Sequence, residues 1–205
     1  EKGMRVTKEQ EVCVGKKVIQ KKDRMVLLAV NKPTGIVCTE EKREKKNIIR
    51  FLNYPTRITY IGRLDKDSEG LLLMTNNGDI INKMMRAGNC HEKEYKVTVN
   101  KEVTKEFVRK MSEGVPILDT VTRPCKVEKI GKYKFRIILT QGLNRQIRRM
   151  CEYLGYQVTR LERIRVMNIE LGDLKSGEYR EVTKKELDEL YELLKDSSNN
   201  TVYEE

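Results

Sequence analysis

Residues 58–75, ITYIGRLDKDSEGLLLMT, constrain the fold most tightly, because two apolar runs of strand length flank a short loop crowded with charge. Ile58 to Tyr60 mix β-branched and aromatic residues, and Leu71 to Met74 are uninterrupted apolar residues; both predict strands in or beside a core. Arg63, Asp65, Lys66, Asp67 and Glu69 stand between them, and Gly70 closes the loop. Strands that carry a polar loop fix its side chains in place while leaving them accessible, the usual setting of binding and catalytic groups. A solvated charged turn satisfies the same pattern, so the stretch alone leaves both readings open.

The rest of the chain narrows the choice. Its 205 residues suffice for one large domain, or two small subdomains sharing a sheet, with a substantial core. No apolar run approaches the length of a bilayer-spanning helix, and no signal-peptide pattern precedes the first charges; the expectation is a soluble cytoplasmic monomer. The chain begins on Glu1 rather than Met, which leaves room for a segment before it. Cysteines 13, 38, 90, 125 and 151 form no C-x-x-C pair and read as reduced and mostly packed. The single histidine, His91, lacks partners at zinc-finger spacing and reads as an incidental loop or helix-end residue. Neither a metal nor another cofactor is expected. The formal charge of +11 favours a polyanionic partner without distinguishing RNA, DNA and anionic lipid.

Taken in order, residues 1–24 read as a charged linker. Met25 to Val30 predict a strand that ends in the turn Asn31-Lys32-Pro33-Thr34-Gly35, and Ile36 to Thr39 a second short strand. Ile48, Ile49 and Leu52 suggest a short helix. Ile80, Ile81, Met84 and Met85 recur at helical spacing, with the methionines as core filler. Tyr95, Val97 and Val99 share one face of a strand. Thr104 to Met111 fit a helix, and Cys125 to Ile130 and Tyr133 to Thr140 fit a hairpin. Val158 to Met167 predict a strand with its arginines at exposed positions. A last helix starts at Thr183 with Glu186 completing a capping box and Leu187, Leu190, Leu193 and Leu194 facing the core. The segment after Asp196 reads as a flexible tail.

The stretch Gln141 to Leu154, QGLNRQIRRMCEYL, predicts a helix with Asn144 as its N-cap. Arg145, Arg148 and Arg149 then cluster at the end where the helix dipole disfavours cations. That conflict suggests arginines held for an anionic target or a carboxylate, although a solvated basic face fits as well.

GRLDKDSEG at 62–70, AVNKPTGI at 29–36, EKEYKV at 92–97 and QGLNRQIRRM at 141–150 together resemble the motifs of the pseudouridine synthases, in the RsuA family and its RluF-like branch. The resemblance implies an α+β catalytic domain over 25–195, with an extended, mainly antiparallel mixed sheet flanked by helices. It also implies that residues 1–24 are a linker or the remnant of an N-terminal S4-type RNA-binding domain. The implied activity is isomerisation of a specific uridine to pseudouridine in 23S ribosomal RNA, with transfer RNA as a second candidate substrate. Carried over residue by residue, Asp65 is the catalytic aspartate, Arg63 a clamp on the extruded nucleotide's backbone, Tyr95 the platform for the uracil, and Arg148 the partner of the aspartate. Arg145, Gln146 and Arg149 belong to the same motif. Two other readings remain: a noncatalytic RNA-binding or ribosome-assembly module, and a metal-dependent nuclease built on Asp65, Asp67 and Glu69.

Overall fold

The computed structural model describes the backbone of residues 12–14 and 17–20 and the whole of residues 24–86 and 90–195. The elements run β1 (Val12–Val14), β2 (Lys17–Gln20), β3 (Leu27–Lys32), α1 (Ile48–Leu52), β4 (Thr59–Tyr60), β5 (Glu69–Thr75), α2 (Gly78–Met85), β6 (Lys93–Val99) and α3 (Lys105–Glu113). They continue with β7 (Pro116–Ile117), β8 (Thr120–Val121), β9 (Lys126–Gly131), β10 (Lys134–Leu139), α4 (Gln146–Tyr153), β11 (Val158–Val166), β12 (Ile169–Glu170), β13 (Tyr179–Glu181) and α5 (Lys184–Lys195). No helix among the described residues is long and apolar enough to cross a membrane. The expected C-terminal tail after Asp196 lies outside the described residues.

The main sheet has the order β13-β3-β5-β11-β6-β10-β9, with β4 paired to β5 and β12 to β11. Its pairings are antiparallel except for β5 with β11, which run parallel at Glu69–Glu162 and Gly70–Arg163. The mainly antiparallel α+β architecture agrees with expectation. Within residues 1–24, β1 and β2 pair as a separate antiparallel hairpin, so that segment contains regular structure.

Burial follows from the side-chain pattern. Leu71 and Leu73 of β5 face a core shared with α2 and α5, while Leu72 and Met74 face one shared with α1 and Ile58; β3 divides its residues likewise. Covered on both faces, these strands read as continuous apolar runs. β6 and β10 alternate instead: Val97, Val99, Phe135, Ile137 and Leu139 meet α3 and α4 in a third core, and the intervening charged residues face outward. This alternation covers only one face of that part of the sheet.

Gly70 sets the seam between the two regions. It has φ +107, and a Cβ there would lie 2.2 Å from the Arg163 carbonyl oxygen, so only glycine admits the approach of β11.

Several local expectations need correction. Ile36 to Thr39 form no strand; Val37 makes a single bridge to Asn47, because the chain turns to support α1. Arg163 is not exposed but 3% accessible: it stands in register with Tyr95, on the same face as buried Leu161, and its Nε donates to the Leu71 carbonyl at 2.8 Å. Leu193 is exposed, and only Leu190 and Leu194 of α5 are fully covered. Of the methionine pair, Met84 is core while Met85 is exposed at the rim of a cleft.

Candidate active site

The charged loop between β4 and β5 opens onto a cleft of about 410 Å³ bounded by the α2 core on one side and the α3–α4 core on the other. Leu64, buried at 6% exposure, anchors the loop; the Asp65 carbonyl accepts a bond from Ser68 N at 3.0 Å and closes a turn. Gly35 N donates to the Lys66 carbonyl at 2.8 Å, so the Asn31–Gly35 turn braces the loop from behind. Asp65 is thereby held with its side chain about two-fifths exposed into the cleft.

The cations come from the start of α4. Arg145, not Asn144, occupies the N-cap position, in the left-handed conformation with φ 49 and no side-chain cap bond. This turn aims its guanidinium across the cleft, where it holds Asp67 with two bonds of 3.0 and 2.8 Å and lies 3.5 Å from Asp65 Oδ2. The expected Arg148–Asp65 pair is therefore replaced by Arg145–Asp65. One turn further along, Arg148 donates to the Asp67 carbonyl at 3.0 Å and to Ser68 Oγ at 3.1 Å, and its second terminal nitrogen lies 3.4 Å from Asp67 Oδ2. Arg148 thus ties down the loop backbone rather than the catalytic candidate. The bidentate bond from Arg145 holds the Asp67 carboxyl below the usual carboxylate range. Arg149 turns back onto Asn144 and away from the cleft.

Arg63, Asp65, Tyr95, Arg145 and Gln146 all line the cleft, and Arg148 does not. Arg63 is exposed and makes no hydrogen bond or ion pair with a described residue, leaving its guanidinium available at the mouth. Tyr95 is half-buried on β6, packed against the α3–α4 core while facing the cleft, so core packing and platform are compatible roles for one ring. Gln146 is buried and knits the approach to α4: its Oε1 accepts from Leu143 N at 3.1 Å.

Three polar residues escaped the sequence reading. Lys32, placed in a turn by sequence alone, is the last residue of β3, fully buried behind the loop, and donates from Nζ to the Pro33 carbonyl at 2.9 Å. Burial lowers its pKa, and the nearby Cys38, Asp65, Asp67 and Glu69 act against that shift. Lys93 and Arg163 line the cleft beside Tyr95. His91, expected to be incidental, also lines it, with Nε2 3.2 Å from the Lys83 carbonyl oxygen. Two-residue alternation along EKEYKV would have raised Lys93, since it shares the Tyr95 face.

The carboxylates do not converge as ion ligands. Asp67 is held by Arg145 and Arg148, and Glu69 is paired with Arg160. Among the described residues no three His, Cys, Asp or Glu side chains gather. What the arrangement offers chemically is one accessible carboxylate oriented by a guanidinium, an aromatic face, and an excess of positive charge at the mouth.

Residues 26–153 match a family model described as RNA pseudouridylate synthase. The chain is 58% identical to the dual-specificity RNA pseudouridine synthase RluF of Salmonella typhi over 177 residues, which cover 86% of this chain and 61% of that protein. It is 31% identical to ribosomal large subunit pseudouridine synthase B of Bacillus subtilis, over 97% of this chain and 84% of the relative. A crystal structure of a pseudouridylate synthase superposes with a TM-score of 0.77 at 28% identity, covering 91% of this chain and 83% of the other. The chain spans about three-fifths of the length of the RluF relatives that it matches.

Proposed function

Since the chain belongs to the RNA pseudouridylate synthase family and is RluF-like within it, we propose that it isomerises a specific uridine to pseudouridine in folded RNA, with Asp65 as the catalytic carboxylate. The observation that carries this reading is the Arg145–Asp65 pair at 3.5 Å, at the edge of a cleft that also presents Tyr95 and an Arg63 unpaired among the described residues. The reaction breaks the N1–C1′ bond, turns the uracil in place and rejoins it through C5. Attack of the carboxylate on C1′ or on C6, and removal of a sugar proton to give a glycal, all require an ionised carboxylate of fixed direction. Arg145, 3.5 Å from Asp65 Oδ2, sets a guanidinium against that carboxylate and restricts its direction.

The target must leave its stack first. Extrusion costs roughly a few kcal/mol, which stacking on Tyr95 and phosphate contact with Arg63 offset. The substrate is 23S ribosomal RNA in the cytoplasm, and transfer RNA is a second substrate; the dual specificity in the name of the RluF relatives supports two RNA targets.

Incubation of wild-type and Asp65→Asn protein with unmodified 23S ribosomal RNA and transfer RNA, followed by nucleoside mass spectrometry with site mapping, tests this. Wild type should yield pseudouridine and Asp65→Asn none, with the variant folded and still binding RNA. Near-wild-type product from a folded Asp65→Asn protein would sink the assignment. RNA binding without product from wild type would favour the noncatalytic RNA-binding module.

A further inference from the structure

The motif EKEYKV contributes more than Tyr95 to the cleft. Lys93 begins β6, two residues before Tyr95 and on the same face of the strand. Its cross-strand neighbours are Leu139 on β10 and Val166 on β11, and Tyr95 pairs with Arg163 one step along. Leu139, Lys93, Val166, Tyr95 and Arg163 all line the cleft, so these strands make its floor and Lys93 is the amine in it. On the loop side, Nζ lies 3.6 Å from the position a Cβ on Gly142 would take, beside the backbone that leads into Arg145.

This amine has no hydrogen bond or ion pair with any described residue. Asp65, the one carboxylate among the described residues lining the cleft, is met by Arg145 instead. A half-buried ammonium beside a buried guanidinium, with no carboxylate of its own, is poorly compensated until something brings acceptor atoms to it. Burial first, and the Arg163 charge second, draw its pKa below the ordinary lysine value.

We propose that Lys93 is a catalytic residue: its ammonium donates a hydrogen bond to a carbonyl oxygen of the extruded uracil and stabilises the negative charge the ring acquires as its bond to the sugar opens. The proposal rests on the pseudouridine-forming reading of the cleft. Heterolysis of C1′–N1 leaves the electron pair on the uracil, where it spreads over O2 and O4. Lys93 keeps its proton throughout. An electron pair from the ring then forms the C1′–C5 bond, and the hydrogen lost from C5 is matched by the one gained at N1, so nothing is oxidised or reduced. A contact that strengthens only as charge develops raises the rate more than the affinity.

Single-turnover pseudouridine formation on unmodified 23S ribosomal RNA and transfer RNA, across neutral to alkaline pH, tests it with wild type, Lys93→Met and Lys93→Arg. RNA affinity and Tm are measured on the same preparations. Lys93→Met should slow the reaction by about 10²-fold, with Kd changed by less than about threefold and Tm nearly unchanged. Lys93→Arg should recover part of the rate, and the alkaline limb of the wild-type profile should move upward or vanish. Arg63, Asp65, His91, Tyr95, Arg145 and Arg163 face the same cleft and are unaltered in Lys93→Arg, so a limb due to any of them stays in place. Wild-type rates from Lys93→Met overturn the proposal, as do equal losses in both variants that track a fall in Tm with an unmoved limb. No pseudouridine from wild type on either RNA removes the underlying reading and the role of Lys93 with it, a result distinguishable because it involves no variant.

Discussion

At the scale of single residues, Arg145 and Arg148 do different work although they stand three apart on the same helix. Arg145 spans Asp65 and Asp67, whereas Arg148 holds the loop backbone at Asp67 and Ser68. Arg145→Lys keeps the charge and loses the planar fork, so turnover should fall by about 10²-fold with little change in Tm, since a small misplacement of a reacting group has that effect. Arg148→Lys should instead lower Tm and rate together. Thermal melts beside rate constants for the two variants check the division. Sequence spacing identified both arginines but could not assign the partner, because the choice turns on the left-handed backbone at Arg145. Arg163 was misplaced for a related reason: alternation holds from Leu161 to Arg163 but the register then shifts before Arg165, so Arg163 and Val166 are both buried although they differ in phase.

At the scale of elements, the clearest sequence signals were those with local causes. Thr183 and Glu186 form the expected capping box at the start of α5: Glu186 N donates to Thr183 Oγ1 at 3.2 Å and Thr183 N to Glu186 Oε1 at 3.0 Å. Arg180 of β13 adds two bonds to the same carboxylate, at 2.7 and 3.0 Å, and chiefly for that reason its pKa falls from 4.5 to about 2. A carboxylate with a depressed folded pKa stabilises the fold above its unfolded value. That contribution is therefore lost as pH falls from 4.5 towards about 2. Glu186→Gln can still cap but cannot pair, so it should cost about 1 kcal/mol at neutral pH and flatten the stability profile across that window. Urea denaturation from neutral to acid pH measures both effects. The Ile36–Thr39 strand failed for the opposite reason, since a short apolar run becomes a strand only where a partner edge is free, and here the chain is drawn to α1.

At the scale of the whole molecule, the charge of +11 predicts RNA affinity that falls steeply with salt. With about four phosphate contacts, binding should weaken by roughly 10- to 100-fold between 50 and 200 mM monovalent salt. Arg63→Gln should reduce the logarithmic slope by about 1, which fluorescence anisotropy across a salt series would read; an unchanged slope would remove Arg63 from the phosphate contacts. The mixed architecture was legible because apolar periodicity is summed along the chain. The floor of the cleft was less legible, because it joins strands distant in sequence. The parallel seam at Gly70 and Arg163 brings together segments more than 90 residues apart, and Arg145 reaches Asp67 across 78. The active site therefore belongs to no local folding unit. On a growing or refolding chain it assembles late, after the slow closure of long loops, and no amino-terminal fragment that ends before α4 can contain it.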